Sequence, residues 1–165
     1  MELHLSALFI ILFLLIILAA FFAGTEIGMM SLNRYKLKHL VKKRDKKAMR
    51  VNNILSRPDL LLSVVLIGNT LANIVASTIA TLIGQRLYGD AGVIIATAVL
   101  TLVILVFSEM VPKTFAAIYS QRVAFATALP LKVFQVIFAP LVWASTMTTN
   151  GILRLFPWTE PKRKH

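Results

Sequence analysis

Apolar residues in this chain run rather than alternate. Leu5 to Leu32, Leu60 to Ile83 and Val93 to Phe107 are long apolar stretches, and a helix needs about 20 mostly apolar residues to cross a bilayer. The first two meet or approach that length, and the third does so once Ser108 to Val111 are included. The pattern predicts three transmembrane helices, over 5–33, 59–84 and 93–112. Between the first two, Lys38, Lys42 and Lys46 recur at helical spacing with Leu37, Leu40 and Val41 among them. That spacing predicts a basic amphipathic helical segment, 34–58, lying on an anionic leaflet. Between the second and third, Gln85 to Gly92 carry the turn signals Gly89-Asp90 and Gly92, which predict a tight helical hairpin. The last apolar stretch, Val123 to Phe156, is interrupted by Pro130, Pro140 and the polar run Ser145 to Asn150. Its pieces are shorter than a span, so 113–156 reads as a juxtamembrane belt of embedded or interfacial helices that do not cross.

Composition places the whole chain, 1–165, in one class. With 58% hydrophobic and 15% charged residues, it is far more apolar than a soluble domain. The fold class is an all-α membrane protein. Met1 to His4 lack a basic n-region and the first apolar run is too long for a signal peptide, so it is expected to stay as a helix. Ten of the Lys and Arg residues that make up the net charge of +11 fall between Arg34 and Arg57, against the single acid Asp45. The positive-inside rule makes that segment cytoplasmic, with the N-terminus outside and the C-terminus cytoplasmic. A fourth crossing would put Arg154, Lys162, Arg163 and Lys164 outside, which the same rule disfavours. The segment shows no nucleic-acid motif, so its partners are expected to be the bilayer and its anionic headgroups.

Against this apolar background, five oxygen-bearing side chains stand out: Thr25 and Glu26, Asn69 and Asn73, and Glu109. Polar groups at such depth are costly and mark ion or substrate pathways. There is no cysteine, and His4, His39 and His165 all lie outside the apolar runs. A cation held among these helices is therefore held by oxygen, which favours Mg²⁺, Ca²⁺ or Na⁺. At 1.5 Å per residue, Asn69 and Asn73 lie roughly 13 to 20 Å from the inner end of their helix and Glu26 about 9 Å from the inner end of its own. Gly68, Ala72, Ala76, Ala80 and Gly84 form a small-residue seam beside the polar stripe Asn69, Asn73 and Ser77, which lets another helix approach closely. Gly24 and Gly68 permit local helix breaks that would release carbonyl oxygens toward a cavity. Two blander readings stay open: the asparagines bond across helices as packing glue, and Glu109 forms an i,i+4 ion pair with Lys113. No nucleophile with a paired base is visible, so an enzyme is not expected.

Phe22-Ala23-Gly24-Thr25-Glu26, Ser31-Leu32-Asn33-Arg34, Leu66-Ile67-Gly68-Asn69-Thr70-Leu71-Ala72-Asn73 and Ser108-Glu109-Met110-Val111-Pro112-Lys113 together resemble the transmembrane domain of the cyclin M/CorC (CNNM, CorB) magnesium transporters. The resemblance implies a homodimer of three-helix domains in the inner membrane of a prokaryote, exporting Mg²⁺, in some members in exchange for Na⁺, through an inward-facing acidic cavity. Carried onto this sequence, it nominates Thr25, Asn69, Asn73 and Glu109 as cation ligands, with Glu26, Gly24, Gly68, Pro112 and Lys113 shaping or gating the cavity. Two departures stand out. Ala23 occupies a position where the family commonly has serine, and the family's CBS-type nucleotide-binding domains would begin about where the basic tail, 157–165, ends. Two alternatives to transport are a membrane-anchored Mg²⁺ sensor and an assembly domain without translocation.

Overall fold

The computed structural model describes residues 4–156, and the predicted basic tail lies outside them. Among the described residues every regular element is a helix. The first, α1 (Leu5–Met30), is unbroken, and its N-terminal half leaves Phe9, Phe13 and Leu14 exposed. Exposed side chains of that size on an apolar helix are at home against lipid. The protein is an all-α integral membrane protein.

The basic segment is two helices rather than one. α2 (Arg34–Lys42) is capped by Asn33, whose side chain accepts from the N–H groups of Tyr35 and Lys36 at 3.0 and 3.2 Å. α3 (Lys46–Leu55) is capped by Asp45, which accepts from Lys47 and Ala48 at 2.9 and 3.1 Å. The chain turns between them at Arg44, whose φ is 59°. Asp45 competes for the backbone at that point, which is what an N-cap does and a mid-helix residue does not. The apolar face does not lie on a leaflet as expected. Leu37, Ala48, Val51 and Ile54 are buried in the same core as Phe22, Met29, Leu61, Val64, Ala124 and Leu131, because a packed protein face is available on α6 and excludes water from both sides.

α4 (Pro58–Val103) consists of two limbs that fold back on each other at Tyr88 and Gly89. The outgoing limb runs past the predicted end at residue 84 and the returning limb begins before 93, so the predicted link is mostly helical. Gly89 has φ 63° and ψ −140°, a conformation open to glycine and strained for other residues. Just inside the turn the limbs touch backbone to backbone, since a Cβ on Gly92 would overlap the carbonyl of Gly84. The seam of Gly68, Ala72, Ala76, Ala80 and Gly84 is buried along its whole length. Its two glycines meet different neighbours, Phe22 of α1 and Gly92 of the returning limb.

The third limb does not end at Pro112. It passes through a π-helical segment, Ile104–Met110, and continues as α5 (Val111–Ile118). Beyond Tyr119, α6 (Ser120–Ile137) runs straight through Pro130, contrary to the expected interruption. The break comes instead at Phe138, where α7 (Ala139–Leu155) departs at 69°. At 18 and 17 residues, these helices are roughly 27 and 26 Å long at 1.5 Å per residue. α6 docks on α1 and α3 through Ala124, Ala128 and Leu131, and Phe134 meets Phe22 edge-on at 4.9 Å between ring centroids. α7 buries none of its residues.

Candidate functional site

Pro112 sets the local geometry of the site. It has no N–H for the carbonyl of Ser108, and its ring crowds that carbonyl. The preceding turn widens in response: the N–H of Val111 reaches back five residues, to the carbonyl of Val106. A turn enlarged by one residue offsets the faces beyond it by roughly 100°, and such π-turns are frequent at functional sites. Ser108 is fully buried and its Oγ donates to the carbonyl of Ile16 at 3.2 Å, which ties the widened turn to α1.

The next residue is Glu109, and it closes a polar chain across two limbs. Asn73 Nδ2 donates to Asn69 Oδ1 at 3.0 Å, and Asn69 Nδ2 donates to Glu109 Oε1 at 3.4 Å. On the other carboxylate oxygen, Lys113 Nζ sits 3.0 Å away. The structure thus brings together Asn69, Asn73, Glu109 and Lys113, and both the predicted ion pair and the predicted polar stripe are present in one cluster. At the far end of this polar chain, Asn73 Oδ1 is buried and has no hydrogen-bond partner among the described residues. A buried acceptor left unmade costs about 1 to 3 kcal/mol.

α1 approaches the cluster through packing rather than through hydrogen bonds. Thr25 is fully buried and its hydroxyl donates to the carbonyl of Phe21 in its own helix, at 2.6 Å. Gly24 faces Pro112, whose backbone oxygen would lie 3.7 Å from an added Cβ. Gly68 lies directly beneath the ring of Phe22, with no room for a side chain. Neither glycine breaks its helix: the expected carbonyl release at Gly24 and Gly68 does not occur, and at Gly68 the missing side chain makes room for the Phe22 ring. The irregular backbone lies at 104–110 instead. Glu26 is half-buried and forms no hydrogen bond or ion pair with the described residues.

A groove of about 340 Å³ leads away from the cluster between the two limbs of α4 and the π-segment, lined by Asn73, Ser77, Thr97, Thr101 and Glu109 among others. The hydroxyls of Thr97 and Thr101 donate to Val93 and Thr97 carbonyls at 2.9 and 2.8 Å, so their lone pairs remain as acceptors. Ser77, Thr97 and Thr101 are exposed on the outer surface of the single chain. Thr97, Thr101 and Ser108 were not singled out from the sequence. The i,i+4 spacing of Thr97, Thr101, Leu105 and Glu109 was the available signal for the first two. Among the described residues, no three His, Cys, Asp or Glu side chains lie together, so the cluster is built of one carboxylate and neutral oxygens.

Comparison with known proteins places this arrangement in context. The family model described as the cyclin M transmembrane N-terminal domain matches residues 9–165. The UPF0053 inner membrane protein YfjD of Escherichia coli strain K12 is 50% identical over 138 residues, 84% of this chain and 32% of that protein. A UPF0053 protein of Haemophilus influenzae is 49% identical over 154 residues, 93% of this chain and 37% of its own length. A polyamine export protein of Salmonella typhimurium is 27% identical over 169 residues, covering 92% of this chain and 37% of that protein. The chain spans about a third of the length of these relatives.

Proposed function

The chain belongs to the cyclin M transmembrane domain family, and from that premise we propose that it is a membrane transport domain whose cargo is a divalent cation, Mg²⁺, bound at the Asn69, Asn73 and Glu109 cluster. The observation that carries this reading is the buried, unpartnered Oδ1 of Asn73 at the end of a polar chain that begins at a carboxylate. A cation bound beside Asn73 would satisfy that oxygen. Mg²⁺ takes oxygen ligands in an octahedral set and dehydrates reluctantly. Asn69, Asn73 and Glu109 supply part of the set, Thr25 is the candidate from α1 once its hydroxyl leaves the Phe21 carbonyl, and water completes it. One carboxylate among neutral oxygens makes a site weak enough to release its cargo, which conduction requires.

Mg²⁺ enters from the cytoplasmic side, the side on which the positive-inside rule puts α2 and α3, and leaves along the hydroxyl-lined groove. Na⁺ is the coupling ion, since the same oxygens suit it. A second copy of the chain covers the groove, which opens on the surface of the single bundle. The test is Mg²⁺ flux through the full-length protein in liposomes, with and without a Na⁺ gradient, for the parent and Glu109→Gln. Loss of flux in the variant supports the assignment. Normal flux in the variant overturns the site, and saturable Mg²⁺ binding with no flux in the parent overturns transport in favour of a sensor.

A second reading has its own support. Glu109 already holds an alkylammonium, that of Lys113, and two relatives at 27% and 26% identity bear the name polyamine export protein. In this reading the cargo is a polyammonium ion that displaces Lys113. Spermidine flux without Mg²⁺ flux would select it.

A further inference from the structure

Away from the transport site, three cationic side chains from three different helices line one cleft. Lys36 of α2, Lys47 of α3 and Arg122 of α6 border a cavity of about 640 Å³ at the basic end of the bundle. Its remaining wall is amphiphilic: Asn33, Ser120 and Gln121 are polar, and Leu32, Ile118 and Phe125 are apolar. No carboxylate lines it. None of the three cations forms an ion pair with a described residue, and Asp45, two residues before Lys47, accepts with one carboxylate oxygen from the N–H groups of Lys47 and Ala48. Arg122 lies over the ring of Tyr119, 5.9 Å from its centroid, a cation–π contact that directs the guanidinium.

Three like charges brought to one cleft repel one another, and the fold places them there without a counter-charge. The first turn of α6 adds to the field, because it begins with no side-chain cap and no acidic residue and a helix start carries partial positive charge. An adjoining depression of about 400 Å³ shares Lys36 and Gln121 and adds Tyr35 and His39, so there is room for more than a bare phosphate. We infer that this cleft is a binding site for a phosphate-bearing anion, gripped between α2, α3 and α6. Guanidinium and ammonium groups recognise phosphate oxygens by charge-assisted hydrogen bonds. The apolar wall and the position of the cleft at the end of the apolar limbs match an anionic phospholipid headgroup. A soluble phosphate compound shares the same chemistry.

The experiment titrates the full-length protein in detergent with short-chain phosphatidylglycerol, short-chain phosphatidylcholine and inorganic phosphate. Binding is read by native mass spectrometry and by the shift in thermal midpoint. The expected result is one tight site per chain for phosphatidylglycerol, phosphate or both, and none for phosphatidylcholine. Loss of two charge-assisted contacts in Lys36→Gln/Arg122→Gln weakens it by about tenfold or more. Lys38→Gln/Lys43→Gln removes the same charge from exposed positions outside the cleft and changes affinity by less than about twofold. Lys47→Gln, at an exposed position in the first turn of α3, gives the same readout should the double variant fold poorly. Binding of phosphatidylglycerol alone identifies a lipid site, and binding of free phosphate identifies a soluble ligand. Equal weakening in both double variants, or no preference over phosphatidylcholine, overturns the proposal.

Discussion

Replacing Lys113 by methionine should tighten the cation site rather than weaken it. Lys113 Nζ lies 3.0 Å from Glu109 Oε2, and the two side chains are 43% and 26% exposed. Both partners are partly exposed, so the pair belongs near the top of the range for accessible ion pairs, about 1 kcal/mol. A cation that needs the carboxylate must displace the ammonium and bears that cost, which at 1.4 kcal/mol per decade is about fivefold in affinity. Repulsion between the ammonium and an arriving dication acts in the same direction. Methionine keeps much of the apolar stem of lysine, so the packing of α5 changes little. Titration of Mg²⁺ into the full-length protein in nanodiscs should therefore show Lys113→Met binding about fivefold tighter than the parent, with the gap narrowing at high salt. Glu109→Gln should bind at least about tenfold weaker, through loss of the charged ligand. If both variants weaken binding alike, the pair is a structural unit and Glu109 is not a ligand.

Asn73→Leu separates function from packing: it removes a buried unpartnered oxygen together with the bond its Nδ2 donates to Asn69 Oδ1, two changes of opposite sign and similar size, so thermal stability should hold within about 1 kcal/mol while Mg²⁺ flux is lost. A packing role would instead give a clear drop in stability. Gly89→Val should lower stability by about 1 to 3 kcal/mol, because the cost lies in the positive φ; an added Cβ there meets no atom within 4 Å. Unfolding monitored by circular dichroism measures this, and Mg²⁺ affinity should be unchanged because the turn is remote from Glu109. Finally, the chain has no cysteine, so Ser77→Cys introduces a single thiol in the groove. If a second copy covers that face, mild oxidation should produce a disulfide-linked dimer, and a chain that remains monomeric after oxidation would argue against it.

How much of this was legible beforehand follows from the range of the interactions concerned. The three apolar limbs, the hairpin near Gly89 and the small-residue seam are local patterns, repeated at helical spacing and readable without partners. The stripe Asn69, Asn73 and Ser77 was legible for the same reason. The split of the basic segment was partly written in Asp45 and Asn33, whose capping preference is local, but lysine periodicity obscured it. Continuity through Pro130 was hidden, because a proline inside a helix is tolerated when neighbouring packing, here on α1 and α3, makes up for the lost bond. The expected breaks at Gly24 and Gly68 do not occur, and at Gly68 the reason is that glycine serves close approach as well as irregular backbone, and only the neighbour decides which. For Gly68 that neighbour is Phe22, 46 residues earlier in the chain.

By itself, the sequence determined that this is an all-helical membrane protein with oxygen-bearing groups buried in apolar limbs, because the cost of polar atoms in hydrocarbon acts on every residue where it stands. Tertiary structure alone decided which of those groups meet. It joined Asn69, Asn73, Glu109 and Lys113 through a π-turn before Pro112, left Glu26 without a partner among the described residues, and gathered Lys36, Lys47 and Arg122 around one cleft. Those meetings depend on how far each helix turns and where each limb folds back. Such rotations are set by contacts between residues distant in the chain, and no local period encodes them.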